Sequence, residues 1–120
     1  MFEWNDYLEV ARGLLASSPT LPEATWRTVA SRAYYSAFHK CREFLEQQGH
    51  EPIRGERVHA RVLEGLRQRS DMELTALDLD RMRGKRAHAD YNSAREFHRS
   101  DAQVIVTLAA EVKQRLVNSP

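Results

Sequence analysis

The sequence predicts an all-α fold, a five-helix antiparallel up-and-down bundle whose second helix is the longest. Apolar residues recur at spacings of three and four along most of the chain, which is the period of a helix with one buried face. β-Branched residues form a run only at 103–107, and helical patterns flank that run on both sides. The periodic segments are joined by short connections, which favour antiparallel packing of neighbouring helices.

A turn with two prolines separates the first two helices. Helix 1 is predicted over residues 3–16, and Ser17-Ser18-Pro19 ends it. Thr20-Leu21-Pro22-Glu23 then matches a capping box with proline in the first turn. Helix 2 runs from there to Gln48 without a breaker, and Gly49 is its predicted C-terminal cap. Its length of roughly 40 Å exceeds the diameter of about 35 Å expected for a compact domain of this size, so we expect an elongated molecule.

Three shorter helices complete the predicted bundle. A loop over residues 51–55 leads into helix 3 at about 56–69, and a short acidic link leads into helix 4 at about 73–91. Ser100-Asp101-Ala102-Gln103 has the pattern of a second capping box. Helix 5 is predicted to run from this box to about Val117.

Length and composition indicate one globular domain over residues 1–120. Hydrophobic residues make up 42% of the chain and charged residues 29%, which excludes disordered and collagen-like classes. The single cysteine, Cys41, excludes an intrachain disulfide and a cysteine-rich zinc site, and we expect it to be a small core residue. No apolar run approaches the ~18 residues of a membrane span, and the N-terminus lacks a signal pattern. We therefore expect a soluble, cytoplasmic protein that does not engage a membrane.

Positive charge is concentrated in one part of a nearly neutral chain. The formal charge is +1, yet residues 81–99 hold six bases against two acids. Fifteen of the 18 basic residues are arginine, whose guanidinium group binds a phosphate through two hydrogen bonds at once. The basic stretch is therefore either an anion-binding site or a solvated helix face, and charge alone leaves both interpretations open.

The candidate site lies within residues 81–91. On a helix Arg81, His88 and Tyr91 share one face, whereas Arg83 lies about 140° around from His88. Arg83 would reach the same cleft only if Gly84 loosened the helix or if a second subunit closed the cleft. The choice between Arg81 and Arg83 therefore depends on tertiary or quaternary structure.

These groups suit the cleavage of a phosphodiester bond in RNA. Histidine titrates near neutral pH, so His88 can take the proton of a ribose 2′-hydroxyl or give one to the leaving oxygen. An arginine holds the phosphate and the 2′-oxygen supplies the nucleophile, so we expect no metal and no cofactor. The five histidines also lack a standard zinc spacing. The alternative is a solvated basic face on which Arg86 and Asp90 pair one turn apart and His88 is a surface residue.

Two stretches of the sequence resemble motifs of the HEPN superfamily of small helical proteins. Arg32-Ala33-Tyr34-Tyr35-Ser36-Ala37-Phe38 on helix 2 resembles the family's "R-x-Y-Y-x-A-F" helix. Arg86-Ala87-His88-Ala89-Asp90-Tyr91 on helix 4 is similar to its "R-x-x-A-D-Y" motif. The resemblance covers roughly residues 3–117 and implies a helical bundle that forms a homodimer.

In active members of that family an R-x(4–6)-H motif from each subunit lines a shared cleft and cuts RNA without a metal. The resemblance therefore implies that RNA is the substrate and that Arg83 and His88 form the catalytic pair. Four residues separate Arg83 from His88 and six separate Arg81 from it, so both arginines match the motif. The commonest family spacing favours Arg83, helical geometry favours Arg81, and the choice stays open.

Five further residues are expected to support the cleft or to bind phosphate. Arg86, Asp90 and Tyr91 belong to the second motif, and Arg32 and Tyr35 belong to the first. Arg32 and Tyr35 fall on one stripe of helix 2, which suits contact with RNA as well as packing at the rim of the core.

The resemblance also implies a toxin or defence component with a minimal nucleotidyltransferase as its antitoxin. In a toxin branch of the family the partner modifies a tyrosine two residues after the motif histidine; here that position is Asp90, and Tyr91 follows. Gly84 stands where active members often have a polar residue. Two alternatives stay open: a non-catalytic HEPN module that binds nucleotide, RNA or a partner nucleotidyltransferase, and a helical dimerisation protein.

Overall fold

The computed structural model describes residues 1–17 and 20–119, and these form five α-helices and no strand. The helices are α1 (Asn5–Leu15), α2 (Glu23–Gln47), α3 (Val58–Arg67), α4 (Glu73–Tyr91) and α5 (Arg99–Asn118). A single 3-10 turn at Ser70–Met72 leads into α4. The all-α prediction is confirmed, as is the long second helix. Of the predicted helix 1 stop, Ser18 and Pro19 lie outside the described residues.

Helix α2 forms the centre of the molecule and packs against each of the other four helices. Small residues on its inner faces bring the neighbouring helices close: Ala30 and Ala33 are fully buried, and Ala37 is nearly so. Cys41 is also fully buried, and this desolvation raises the pKa of its thiol to about 12. The expectation that Cys41 is a core residue is confirmed. The core between α2 and its neighbours is completed by Leu8, Val29, Val62, Leu66, Met82, Ile105 and Val112.

The two ends of α2 can be compared with the start and stop signals predicted from the sequence. Gly49 has a φ of 94°, its N–H donates to the Glu46 carbonyl, and the His50 N–H donates to the Leu45 carbonyl. This is a Schellman termination, so the predicted glycine cap is confirmed. At the other end α2 begins with Pro22 as its N-cap, and the Glu23 carboxylate accepts the Phe97 N–H at 2.8 Å. The predicted capping-box glutamate is thus used for a tertiary contact.

The second predicted capping box exists, but it begins two residues earlier than expected. His98 is the N-cap of α5, and the Asp101 carboxylate accepts the His98 N–H at 2.8 Å. Ser100 lies inside the first turn of the helix rather than at its cap. The prediction from Ser100 was wrong because it assumed a hydroxyl cap, whereas the chain uses the His98 side chain in that position.

The helices produce an elongated molecule of 45 × 27 × 26 Å, as the length of α2 predicted. Arg27 in the first turns of α2 contacts Ala89 at the end of α4, and Tyr34 about two turns later contacts Arg86. This pair of helices therefore runs in opposite directions. At Gly65 the helix α3 approaches α2 so closely that an added Cβ would lie 2.8 Å from a Leu45 methyl carbon.

The core predicts a large loss of stability when Ile105 is truncated. Ile105 is fully buried on α5, so Ile105→Ala should lower the free energy of unfolding by about 2–5 kcal/mol. Its neighbour Val104 is 41% exposed, and Val104→Ala should change the free energy by roughly 0.5 kcal/mol or less. Urea denaturation of both variants measures the difference, and equal losses would contradict the described packing.

Candidate functional site

Helix α4 carries the predicted site on two different faces. The helix is continuous from Glu73 to Tyr91, so Gly84 does not loosen it. Arg83 and Arg86 therefore lie three residues apart on one stripe, and His88 lies on another. The two stripes face different parts of the bundle, so their side chains have different neighbours.

His88 lines a pocket between α4 and the segment that connects it to α5. The pocket is lined by Gly84, Lys85, His88, Arg95, Glu96, Phe97 and Asp101. Nδ1 of His88 lies 3.5 Å from Nδ2 of Asn92, while its Nε2 is buried and has no hydrogen-bond partner among the described residues. The pocket thus combines an imidazole with two cations, Lys85 and Arg95, and with two carboxylates, Glu96 and Asp101. Neither cation was a predicted site residue, although both lie within the basic stretch at 81–99.

Arg27 of α2 holds the wall of this pocket in place. Its guanidinium donates to the Ala89 carbonyl at 2.6 Å and to the Arg95 carbonyl at 2.7 Å. These bonds satisfy a carbonyl of the last turn of α4 and anchor the segment after it. Glu23 adds a second anchor through the Phe97 N–H, which lowers the pKa of the Glu23 carboxyl. Arg27 also pairs with Glu23 one turn earlier in α2 at 3.1 Å. Its anchoring role could not be predicted from the sequence, because the two carbonyls that it binds lie more than 60 residues away.

Arg81 lies nearer the start of α4 than His88 and forms an ion pair there. Its guanidinium lies 3.6 Å from a carboxylate oxygen of Asp78, whose other oxygen accepts a 2.8 Å hydrogen bond from Arg115 of α5. Asp78 is only 3% exposed, so the two arginines together neutralise a buried carboxylate. Arg81 shares the face of His88, but it does not line the His88 pocket.

Arg83 is exposed and has no ion pair or hydrogen bond with the described part of the chain. Its positive charge acts on Tyr34 of α2 and His59 of α3. Burial lowers the pKa of His59, and the charges of Arg83 and Arg86 lower it further. His59 is absent from the predicted site.

Arg86 is the buried member of the same stripe, with 8% of its surface exposed. It pairs with Asp90 at 3.0 Å, which confirms the predicted ion pair. Its guanidinium carbon lies 5.3 Å from the ring centre of Tyr34, 5.4 Å from that of Tyr35 and 6.0 Å from that of Tyr91. Such distances are those of cation–π contacts. Three of the predicted supporting residues besides Arg86 thus surround it: Asp90, Tyr35 and Tyr91.

The remaining predicted residue, Arg32, lies on α2 three residues before Tyr35. Its guanidinium stacks over the rings of Tyr7 at 4.8 Å and Tyr35 at 5.8 Å. Tyr35 therefore links Arg32 to Arg86 across the surface of the bundle. This network does not include His88 among its contacts in the described residues.

His39 extends the aromatic surface towards the N-terminus. Its ring stacks on Trp4 with the ring centres 3.7 Å apart. Burial, together with the nearby charges of Arg42 and His59, lowers the pKa of His39 to about 4. The imidazole is therefore neutral at physiological pH.

Among residues 1–17 and 20–119 no group of three His, Cys, Asp or Glu side chains is arranged to hold a metal ion. In the same ranges no helix is both long and apolar enough to cross a membrane.

Comparison with known proteins identifies one family. The model of the HEPN domain matches residues 5–119, which is nearly the whole chain. No curated protein and no solved structure matches the chain.

The Arg27 contacts predict that this residue stabilises the fold through the wall of the His88 pocket. Arg27→Met removes two charge-assisted hydrogen bonds to backbone carbonyls together with the ion pair to Glu23, and it should lower the free energy of unfolding by about 1–3 kcal/mol. Arg12→Met is the matched control, since Arg12 makes only an exposed pair with Glu9 and should cost roughly 0.5 kcal/mol or less. Chemical denaturation measures both. In Arg27→Met the amide of Phe97 should also exchange faster with solvent, and unchanged exchange would contradict the anchoring role.

The pKa of His39 predicts a loss of stability in mild acid. The unfolded chain has the ordinary histidine pKa of 6.5 and the folded chain a value of about 4, so the unfolded chain binds more protons between these pH values. The free energy of unfolding should therefore fall as the pH drops from 6.5 towards 4, and this contribution should level off below pH 4. His39→Gln lacks the group, so its stability should fall less across this window. Parallel pH profiles of the two proteins would contradict the assignment.

Proposed function

Because the chain belongs to the HEPN domain family, we propose that it is a metal-independent endoribonuclease of HEPN type that acts as a dimer. We assign it to a toxin or defence system of the cytoplasm. His88 is the proposed acid and base, and Arg83 or Arg81 is the proposed phosphate-holding group. The observation that carries the proposal is the His88 pocket, where an imidazole without a partner at Nε2 lies beside Lys85 and Arg95.

The proposed reaction needs only proton transfer and charge stabilisation. The ribose 2′-oxygen forms a new bond to phosphorus, and the bond from phosphorus to the 5′-oxygen breaks. The proton that leaves the 2′-oxygen must be removed, and a proton must reach the departing 5′-oxygen; imidazole can serve both transfers. Since Nε2 of His88 is buried, the ring must turn or the segment at Asn92 must open before the imidazole meets the substrate.

Cations near the phosphate stabilise the charge that develops in the transition state. Lys85 and Arg95 line the pocket with His88 in the same protomer. Arg83 lies on the other stripe of α4, so its participation requires that a second subunit brings its own α4 to the cleft. The proposal therefore couples the R-x(4–6)-H motif to dimerisation, and it leaves Arg86, Asp90, Tyr91, Arg32 and Tyr35 as supporting residues.

Two observations favour a second candidate function, a non-catalytic HEPN module that binds nucleotide, RNA or a partner nucleotidyltransferase. The buried Nε2 of His88 and the distance around the helix to Arg83 are both compatible with binding alone. In either case a minimal nucleotidyltransferase is the proposed partner. Tyr91 is 80% exposed at the end of α4 and is accessible to such a protein.

Cleavage of a mixed RNA pool in EDTA tests the proposed reaction. The wild-type protein should cut in EDTA, and His88→Ala should lose at least about 100-fold in rate, because it removes the proton-transfer group. Arg83→Ala and Arg81→Ala identify the phosphate-holding residue by the larger loss. Arg67→Ala is the control, since Arg67 is an exposed arginine on α3 with a long 3.8 Å pair to Asp80. An inactive wild type, or a His88→Ala protein that cuts RNA at the normal rate, would contradict the catalytic assignment.

Mixed dimers test whether the two motif residues come from different subunits. If the cleft pairs Arg83 of one subunit with His88 of the other, a dimer of His88→Ala and Arg83→Ala subunits keeps one intact site. An equal mixture of the two inactive variants should then recover roughly a quarter of the wild-type rate. No recovery would contradict a shared Arg83–His88 cleft.

A further inference from the structure

The side chain of Asn92 connects the end of α4 to the segment that leads to α5. Its Oδ1 accepts the Ala94 N–H at 3.1 Å and the Arg95 N–H at 3.3 Å. An asparagine oxygen that accepts from the backbone two residues later forms an Asx turn. The backbone N–H of Asn92 donates to the His88 carbonyl at 3.0 Å. The main chain and the side chain of this residue are therefore both held in place.

These hydrogen bonds decide which end of the Asn92 amide faces His88. Because two backbone donors use Oδ1, the NH2 group is the end that points at the imidazole. Nδ2 of Asn92 lies 3.5 Å from Nδ1 of His88, which is a long hydrogen bond. An amide nitrogen can only donate, so Nδ1 is the acceptor and carries no proton.

The neutral imidazole of His88 therefore carries its proton on Nε2. In a neutral imidazole one nitrogen donates and the other accepts, so the partner of one nitrogen fixes the role of the other. Nε2 is buried and has no hydrogen-bond partner within residues 1–17 and 20–119. A buried N–H without an acceptor raises the free energy of this state. The contact with Asn92 is thus the one that selects the tautomer.

The charged groups of the pocket do not select a tautomer themselves. They are two cations and two carboxylates: Lys85, Arg95, Glu96 and Asp101. Both carboxylates lie against His98, since Asp101 accepts its N–H at 2.8 Å and Glu96 lies 3.8 Å from its Nδ1. From α2, Arg27 reaches the His88 carbonyl at 3.5 Å and so acts on the backbone. In the described part of the chain no carboxylate pairs with the His88 ring.

While Asn92 holds this contact, neither ring nitrogen of His88 can take a proton from a substrate. The lone pair of Nδ1 faces the amide, and Nε2 already holds a proton. The doubly protonated ring, which serves as an acid, would direct an Nδ1–H at the N–H groups of the amide. The contact therefore disfavours both of the protonation states that general acid–base catalysis needs.

We propose that Asn92 is a positioning residue that restrains His88 in a resting tautomer, and that RNA cleavage begins with the release of this contact. The inference rests on the proposed function of His88. Once the amide moves away, the free ring nitrogen takes the proton of the ribose 2′-oxygen as that oxygen bonds to phosphorus. The doubly protonated ring then gives one proton to the departing 5′-oxygen, so the imidazole ends neutral.

The ¹⁵N chemical shifts of the His88 ring nitrogens test the restraint in the full chain, without any substrate. At an alkaline pH where the ring is neutral, the wild-type protein should show the proton on Nε2. Asn92→Asp keeps one oxygen for the Ala94 and Arg95 N–H groups and replaces the donor by a second acceptor. A carboxylate beside Nδ1 holds the proton there, as the aspartate of a catalytic triad does. In this variant the proton should therefore move from Nε2 to Nδ1.

Cleavage of RNA in EDTA tests whether the restraint controls the reaction. Asn92→Asp leaves the lone pair of Nε2 free, so its kcat should rise by about 10-fold or more. Its KM for RNA should also rise, because the new carboxylate repels the phosphates, and the two parameters are measured separately. Asn118→Asp is the matched control. The Asn118 side-chain oxygen accepts from Gln114 on the exposed end of α5, and its change to aspartate should leave the His88 shifts and kcat unaltered.

The two measurements can fail separately. A wild-type proton on Nδ1, or a tautomer that Asn92→Asp leaves unchanged while the Ala94 and Arg95 amides still exchange slowly, would overturn the proposal whether or not the protein cuts RNA. A switched tautomer with a lower kcat would overturn the resting role of the contact. A switched tautomer in a protein that never cuts RNA would support the restraint and contradict the proposed ribonuclease.

Discussion

The packing of α2 against all four other helices is the constraint on which the rest of the structure depends. A helix surrounded by four others must bury polar side chains along with apolar ones, and each buried polar group needs a partner on a neighbouring helix. Arg27 finds backbone carbonyls at the end of α4, and Tyr34 finds His59 on α3. These contacts fix where α3 and α4 lie against α2. The surroundings of the candidate site follow from that placement.

The helical period of α4 then separates residues that are close in sequence. Arg83 and His88 are five positions apart, yet they point to different neighbours, one to α2 and α3 and the other to the segment before α5. The R-x(4–6)-H motif specifies only the number of residues between the arginine and the histidine, and it does not specify which neighbours each side chain has. Within one protomer the pocket of His88 holds the cations Lys85 and Arg95 and the acids Glu96 and Asp101, while Arg83 lies on another face of α4. A dimer can reunite the motif residues only across two copies of α4.

The sequence predicted the helices well because their signals are local. The bounds 73–91 of helix 4 and the glycine stop at Gly49 both rest on residues within a turn or two of the feature. The site was harder, because its contacts are tertiary. His59 lies far from residues 81–91 and carries no motif, and Glu23 matched a local capping pattern but bonds to Phe97 instead. The Arg86–Asp90 pair could be predicted, because its two residues lie four positions apart within one helix.

The stacking of Trp4 on His39 has an optical consequence. The chain has two tryptophans, and the other, Trp26, is 5% exposed in the core. Their indole fluorescence reports on different layers of the molecule: Trp26 on the integrity of the bundle, and Trp4 on a neutral imidazole whose ring centre is 3.7 Å away. An imidazolium ion quenches indole emission, whereas neutral imidazole does so poorly. The intrinsic emission of the folded protein therefore contains a built-in proton indicator, and replacing Trp26 by phenylalanine would isolate its signal.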